Sequence, residues 1–204
     1  MDSRRALSLL AVLVLLHSST DELLRAPADA PVPAPSAAIT DDAKPPTPGE
    51  LLSRRRLVVP VAGTPPTKLQ DSFEARRGKG RKHEAIDIMA PWGTPVLAAD
   101  DGRIEKITSN RGGGLTLYQV DPSGRFVYYY AHLAGYAEGL KEGQVVRRGD
   151  LIPYVGATGN ASRDAPHLHF AVLLLTTQKR WWGGEAVNPY PALAQASAVT
   201  TARR

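Results

Sequence analysis

Four of the five histidines in this 204-residue chain, with one aspartate among them, fall into three short clusters. These are His83-Glu84-Ala85-Ile86-Asp87, Tyr130-Ala131-His132-Leu133 and His167-Leu168-His169-Phe170. Neutral imidazole and carboxylate are zinc ligands, and a catalytic zinc keeps three protein ligands and one open position. The set therefore supplies one metal's ligands plus spare imidazoles, the equipment of a zinc-dependent hydrolase. With no cysteine anywhere, thiolate sites, disulfides and an acylated lipoprotein cysteine are all excluded.

Spacing says how the backbone must present these groups. In a strand, His167 and His169 project to one side while Leu168 and Phe170 anchor the other. His83 and Asp87 are four apart, which in a straight strand is roughly 13 Å, so the chain must bend between them or be helical. A helix would make His-Glu-x-x-Asp mimic the zinc-protease motif His-Glu-x-x-His, with Glu84 as general base. The alternation of Ile86 and Ile88 with Asp87 and Met89, followed by Pro91-Trp92-Gly93, favours a strand and leaves Glu84 facing solvent or substrate. His132 ends another alternating run and is expected to share a face with Phe126, Tyr128 and Tyr130. A metal lowers the pKa of a water toward neutrality. Beside it, one of His132 and His167 could accept or deliver a proton and the other could stabilise a developing oxyanion.

In this order and spacing the clusters resemble the lysostaphin-like, or LytM-type, zinc endopeptidases, which cut peptide bridges in bacterial peptidoglycan. That family's pattern is His-x-Gly-x-Asp, a His in Tyr-x-His-Leu, then His-x-His. Supporting stretches are Ala90-Pro91-Trp92-Gly93-Thr94-Pro95-Val96 and Gly156-Ala157-Thr158-Gly159-Asn160, and the resemblance spans about residues 57 to 192. It implies one Zn2+ held by His83, Asp87 and His169, catalytic assistance from His132 and His167, and an antiparallel β fold with the site in a groove. Arg81, Tyr130 and Asn160 are the candidate substrate-binding residues. Two departures bear on substrate preference: Ala85 replaces the usual glycine, and Pro153 stands where a small residue is expected, which suggests an edge or strand-start position. A non-catalytic regulator that activates other wall hydrolases would show eroded ligands, whereas all five site residues are present. A lipoyl or biotinyl carrier would need a modifiable lysine in a Met-Lys-Met or Asp-Lys-Ala turn, and neither occurs.

The elements that must hold these groups are short. Apolar runs such as Val96 to Ala99, Arg103 to Thr108, Leu115 to Val120, Phe126 to Ala131 and Leu168 to Leu175 are broken by turn signals. Leu57 to Val61 reads as one more strand. The expected fold is all-β, mainly antiparallel and sandwich-like, because many short strands bury best as packed sheets.

Around this domain, 51–194, the chain divides further. Residues 1–25 read as a signal peptide or signal anchor, with Arg4 and Arg5 before the apolar run Ala6 to Leu16, which is too short for a transmembrane helix of roughly 20 residues. A retained signal would offer an inner-membrane anchor through residues 4–16; the expected location is the periplasm. Residues 26–50 read as a Pro/Ala-rich linker and 195–204 as a flexible tail. Residues 51–204 carry 21 Lys+Arg against 13 Asp+Glu, a net +8 against +5 for the whole chain. Five of the seven residues from Arg76 to Lys82 are basic, just ahead of His83. Such a field favours an anionic partner. With no nucleic-acid-binding module recognisable, peptidoglycan is the expected partner; the sequence carries no sign of oligomeric state.

Overall fold

The computed structural model describes residues 44–175, 181 and 183–196. The segment expected to be a signal, the expected linker as far as residue 43 and the expected tail beyond 196 lie outside the described residues. The first element, α1 (Pro48–Ser53), opens ahead of the Leu51 expected to begin the domain. Thr47 and Glu50 form a reciprocal capping box, and Leu52 carries the helix into the core at 0% exposure.

Nine strands follow among the described residues, all pairing antiparallel: β1 (Ile86–Met89), β2 (Pro95–Leu97), β3 (Gly102–Asn110), β4 (Gly114–Val120), β5 (Phe126–Tyr136), β6 (Val145–Val146), β7 (Leu151–Val155), β8 (His167–Leu174) and β9 (Glu185–Val187). The main order is β1-β8-β5-β4-β3-β6, with β9 added to β8. The long strand β5 pairs with β8 over Phe126 to Ala131 and with β7 from Leu133 to Tyr136, and β2 pairs with β7. Val96, Ile152 and Val155 of the β2–β7 branch thereby share one core with Ile86, Tyr128, Leu168 and Phe170 of the main sheet. A short helix, α2 (Tyr190–Ala194), packs against α1 and contributes Ala192 and Leu193.

Two local expectations need correction. Leu57 to Val61 forms no regular strand: Val58 N–H donates to the Ala99 carbonyl (3.0 Å), the Pro60 carbonyl accepts from Leu97 N–H (3.0 Å) and Val61 makes an isolated bridge to Val96, while the segment's side chains are buried as the apolar run requires. Pro153 is neither at an edge nor at a strand start, since β7 has neighbours on both sides. It falls within the register shift of the β2–β7 pairing, where a missing N–H is tolerated, and on its other side stands opposite Tyr136 of β5.

Candidate metal centre

Adjacent strands bring the donors together. In the β1–β8 pairing, Asp87 lies opposite His169 and Met89 opposite His167; on its other side His169 pairs with Ala131 of β5. Alternation puts Asp87, His167 and His169 on the outer face while Ile86, Ile88, Leu168 and Phe170 fill the core. His83 reaches the same point from outside the sheet because Glu84 takes a φ of 57° and reverses the chain. His83 N–H to the Ala75 carbonyl (2.9 Å) and Glu84 N–H to the Phe73 carbonyl (2.9 Å) fix that bend. Ala85 needs no positive φ and is fully buried, so the bend has moved to the preceding residue, whose side chain is exposed.

The donor atoms form a tight triangle. His83 Nε2 is 3.0 Å from His169 Nδ1 and 3.1 Å from Asp87 Oδ1, and the latter two are 3.2 Å apart. Tetrahedral ligands bonded at ~2.0–2.1 Å stand roughly 3.3 Å from one another. His83 Nδ1 faces the Ser72 carbonyl at 3.0 Å and so must carry the proton, which leaves a lone pair on Nε2. Lone pairs on two imidazoles and a carboxylate thus converge on one point, which suits a shared proton or a cation. Burial raises the Asp87 pKa, but the hydrogen bonds and charge of His169 and His83 outweigh it and hold the carboxylate well below its usual range. Burial pushes the His169 pKa down, favouring the neutral ring that a metal requires. The residues fit a divalent ion with its remaining position open.

His132 and His167 flank this triangle. His132 Nδ1–H donates to the Thr158 carbonyl (2.9 Å) and His167 Nδ1–H to the Ala165 carbonyl (2.8 Å), so that in each neutral ring the lone pair lies on Nε2. Their ring centroids are 5.0 Å apart, and His167 Nε2 is 3.8 Å from Asp87 Oδ1. Burial lowers the pKa of His132. His132 itself has φ 61° and sits where the β4–β5 register shifts. That break in phase overturns the shared face expected with Tyr130. Tyr130 is 0% exposed in the core, where its hydroxyl donates to Gln119 Oε1 (2.7 Å) and accepts from Ala99 N–H (2.9 Å). It does not line the groove. Its neighbour Tyr129 does approach the site, with its ring centroid 6.0 Å from His169.

Arg81 and Asn160 line the cavity of about 510 Å³ that contains the five site residues, together with Lys82 and Ser162. Sequence reasoning missed three supports. Arg77 Nη2 donates to Asp87 Oδ2 at 2.6 Å, the Ser72 carbonyl orients His83, and the Thr158 carbonyl orients His132. Arg77 was visible only as one charge in a basic run; the other two act through backbone carbonyls, which carry no sequence signal. A larger hollow of about 620 Å³, beside Arg103, Val145 and Arg147, shares no lining residue with the metal groove.

A metal-binding groove with spare imidazoles on an antiparallel β domain defines a class of metal-dependent hydrolase. Residues 81–189 match peptidase family M23, and the chain belongs to that family. It is 36% identical over 126 residues to the L-Ala–D-Glu endopeptidase of Bacillus subtilis, covering 59% of this chain and 37% of that protein. Over 112 residues it is 33% identical to the peptidoglycan DD-endopeptidase ShyC of Vibrio cholerae, covering 52% of this chain and 25% of that protein. The match thus spans between a quarter and two fifths of these relatives' own length. Among solved structures, a LytM of Ruminococcus gnavus superposes with a TM-score of 0.55 at 34% identity, over 63% of this chain and 53% of the other. Csd3 of Helicobacter pylori gives 0.53 at 25% identity, over 74% and 40%.

Proposed function

We propose that this chain is a zinc-dependent endopeptidase acting on peptide cross-links or stem peptides of peptidoglycan. The observation that carries the reading is the convergence of His83 Nε2, Asp87 Oδ1 and His169 Nδ1 to within 3.0–3.2 Å, with two further imidazoles alongside. In this reading those three residues hold the ion and leave a position open. When bound, zinc supplies a Lewis acid that polarises a carbonyl and brings the pKa of a water near neutrality. His132 and His167, each fixed as the Nδ1–H tautomer by a backbone carbonyl, hold or move a proton at Nε2: one takes it from the attacking water, and the protonated form returns it to the leaving amine. The protonated ring also offers an N–H to the oxyanion. Arg77 keeps the outer oxygen of Asp87 engaged while the inner one faces the metal position.

Peptidoglycan as substrate is supported by the endopeptidases this chain matches and by the basic residues at the groove. The substrate lies outside the cytoplasm, so the reading includes export by residues 1–25 and action in the periplasm, with a tether through residues 4–16 if the signal is retained. An intact donor set speaks against a purely regulatory role. The test is digestion of purified sacculi by the full chain, with released muropeptides identified by mass, with chelator and after zinc is restored. Cleavage should vanish with chelator and return with zinc; undiminished cleavage by metal-free protein would overturn the reading.

A further inference from the structure

Beside the metal groove lies a second hollow of about 540 Å³, lined by Trp92, Ala157, Thr158, Gly159, Ala161 and Arg163. Its floor is continuous with the centre: Ala161 lines both cavities, and the carbonyl of Thr158 orients His132. Trp92 is 57% exposed, yet the turn that bears it is tightly fastened. Gly93 N–H donates to the Val155 carbonyl (2.8 Å), Val155 N–H to the Thr94 carbonyl (2.9 Å), and the Thr94 hydroxyl to the Pro91 carbonyl (2.7 Å). Gly93 takes a φ of 80°, which a glycine tolerates without strain. These contacts fix the backbone that carries the indole, and an indole left in water forgoes burial that this side chain would otherwise contribute. Its use is to be covered by something else. Arg163, which lines the same hollow, is exposed and takes part in no ion pair among the described residues, unlike Arg77 and Lys82 of the metal groove, which pair with Asp87 and Glu74. An aromatic ring and an unengaged guanidinium lining one hollow match a ligand with a flat, weakly polar body and a carboxylate.

We propose that this hollow is a substrate subsite: Trp92 stacks on the amide and aliphatic face of a peptide flanking the scissile bond, and Arg163 pairs with that peptide's carboxylate. The proposal rests on the peptidase reading above and adds where acidic peptide is recognised. Two carboxylates share this chemistry, a chain-terminal one and a side-chain one. Neither group touches the reacting atoms, so both act on recognition.

The test uses the full chain with zinc and three versions of one stem peptide: the free acid, the C-terminal amide and the side-chain amide. The wild type should lose about tenfold or more in kcat/KM on whichever amide removes the recognised carboxylate, the scale of a lost charge-assisted hydrogen bond. Arg163→Gln should lose a similar factor on the acid and no longer tell that amide from it. Trp92→Ala should raise KM for all three peptides with little change in kcat. Wild-type protein that cleaves acid and both amides alike, or Arg163→Gln that still discriminates, would overturn the proposal. Binding is read separately by tryptophan fluorescence in full chain held in chelator. The acid peptide should quench it more tightly than the discriminated amide, and the quench should be lost in Trp92→Phe, which retains the other two tryptophans. If wild type and zinc cleave nothing, the peptidase reading fails, and this binding comparison still decides the subsite: equal affinity for acid and both amides overturns it.

Discussion

At the scale of single residues, the two histidines of the His-x-His pair have different surroundings despite sharing a face. His169 Nδ1 stands 3.0 Å from His83 Nε2, whereas His167 Nε2 is 3.8 Å from Asp87 Oδ1 and belongs with His132. His169→Ala should therefore lose both zinc and activity. His167→Ala and His132→Ala should keep zinc while losing roughly 10²–10⁴-fold in rate, the range for a general acid-base group or an oxyanion donor. Metal content and hydrolysis rate on the same folded samples decide it; an empty site in His167→Ala beside a full one in His169→Ala would reverse the pair. The grouping of these residues was legible because clustered histidines and aspartate are chemically distinctive. Arg77 was not, because its role arises only when the loop returns its guanidinium to Asp87, ten positions along the chain. Arg77→Met should cost about 10- to 100-fold in zinc affinity or activity, as removal of a ligand's outer hydrogen-bond partner does. A chelator-competition titration and the rate would show it, and wild-type values for both would make the contact incidental.

At the scale of elements, the placement of His132 depends on a knot between the β3–β4 turn and the loop after β7. His132 N–H donates to the Gly113 carbonyl (2.7 Å), Asn160 N–H to the Gly112 carbonyl (3.0 Å), and the Thr158 hydroxyl to the Leu133 carbonyl (2.7 Å). The two segments touch so closely that a Cβ on Gly114, which has φ 65°, would lie 2.3 Å from the Thr158 carbonyl carbon. Gly114→Ala should cost about 1–2 kcal/mol from the backbone conformation alone, more from the clash, and should reduce turnover further than zinc content. Denaturant unfolding and rate measurements read the two effects. The strands themselves were legible from alternation, as in Asp87 between Ile86 and Ile88. The spacing of His83 and Asp87 called for a bend or a helix, but the placing of the bend at Glu84 and the turn at His132 were not legible, because neither is a glycine and positive φ there is imposed by neighbouring backbone contacts. The same applies to Tyr130: counting in twos from His132 puts it in the groove, and one register shift puts it in the core.

At the scale of the whole molecule, the face opposite the metal groove is held by a buried polar cluster that alternation alone could not reveal. Asp100, 3% exposed, accepts from Arg55 Nε (2.8 Å) and from the Tyr128 hydroxyl (2.8 Å), and its carbonyl accepts from Gln119 Nε2 (2.6 Å). Arg55 lies just past Arg54, the C-cap of α1, so the cluster ties the N-terminal segment to the sheet. Breaking a buried pair costs about 3–5 kcal/mol when a charge is left without its partner; Arg55 keeps its ion pair to Asp121 (3.4 Å) and some contact with solvent, so Asp100→Ala should fall at or below the lower end of that range. Zinc content of the folded fraction should be unchanged, since none of Asp100, Arg55, Tyr128 and Gln119 lines the metal groove. The buried tyrosines give the fold an alkaline limit. Burial first, and then the nearby Asp100, raises the pKa of Tyr128 and Tyr130 in the folded state above the unfolded value of about 10. A raised folded pKa means the folded state keeps a proton that the unfolded chain gives up. Stability from these hydroxyls is therefore complete below about pH 10 and is lost as pH rises beyond it. Unfolding free energy followed from about pH 8 to 11 should be level and then fall, and a curve that stays level to the upper end would show that the hydroxyls ionise as readily in the fold as outside it.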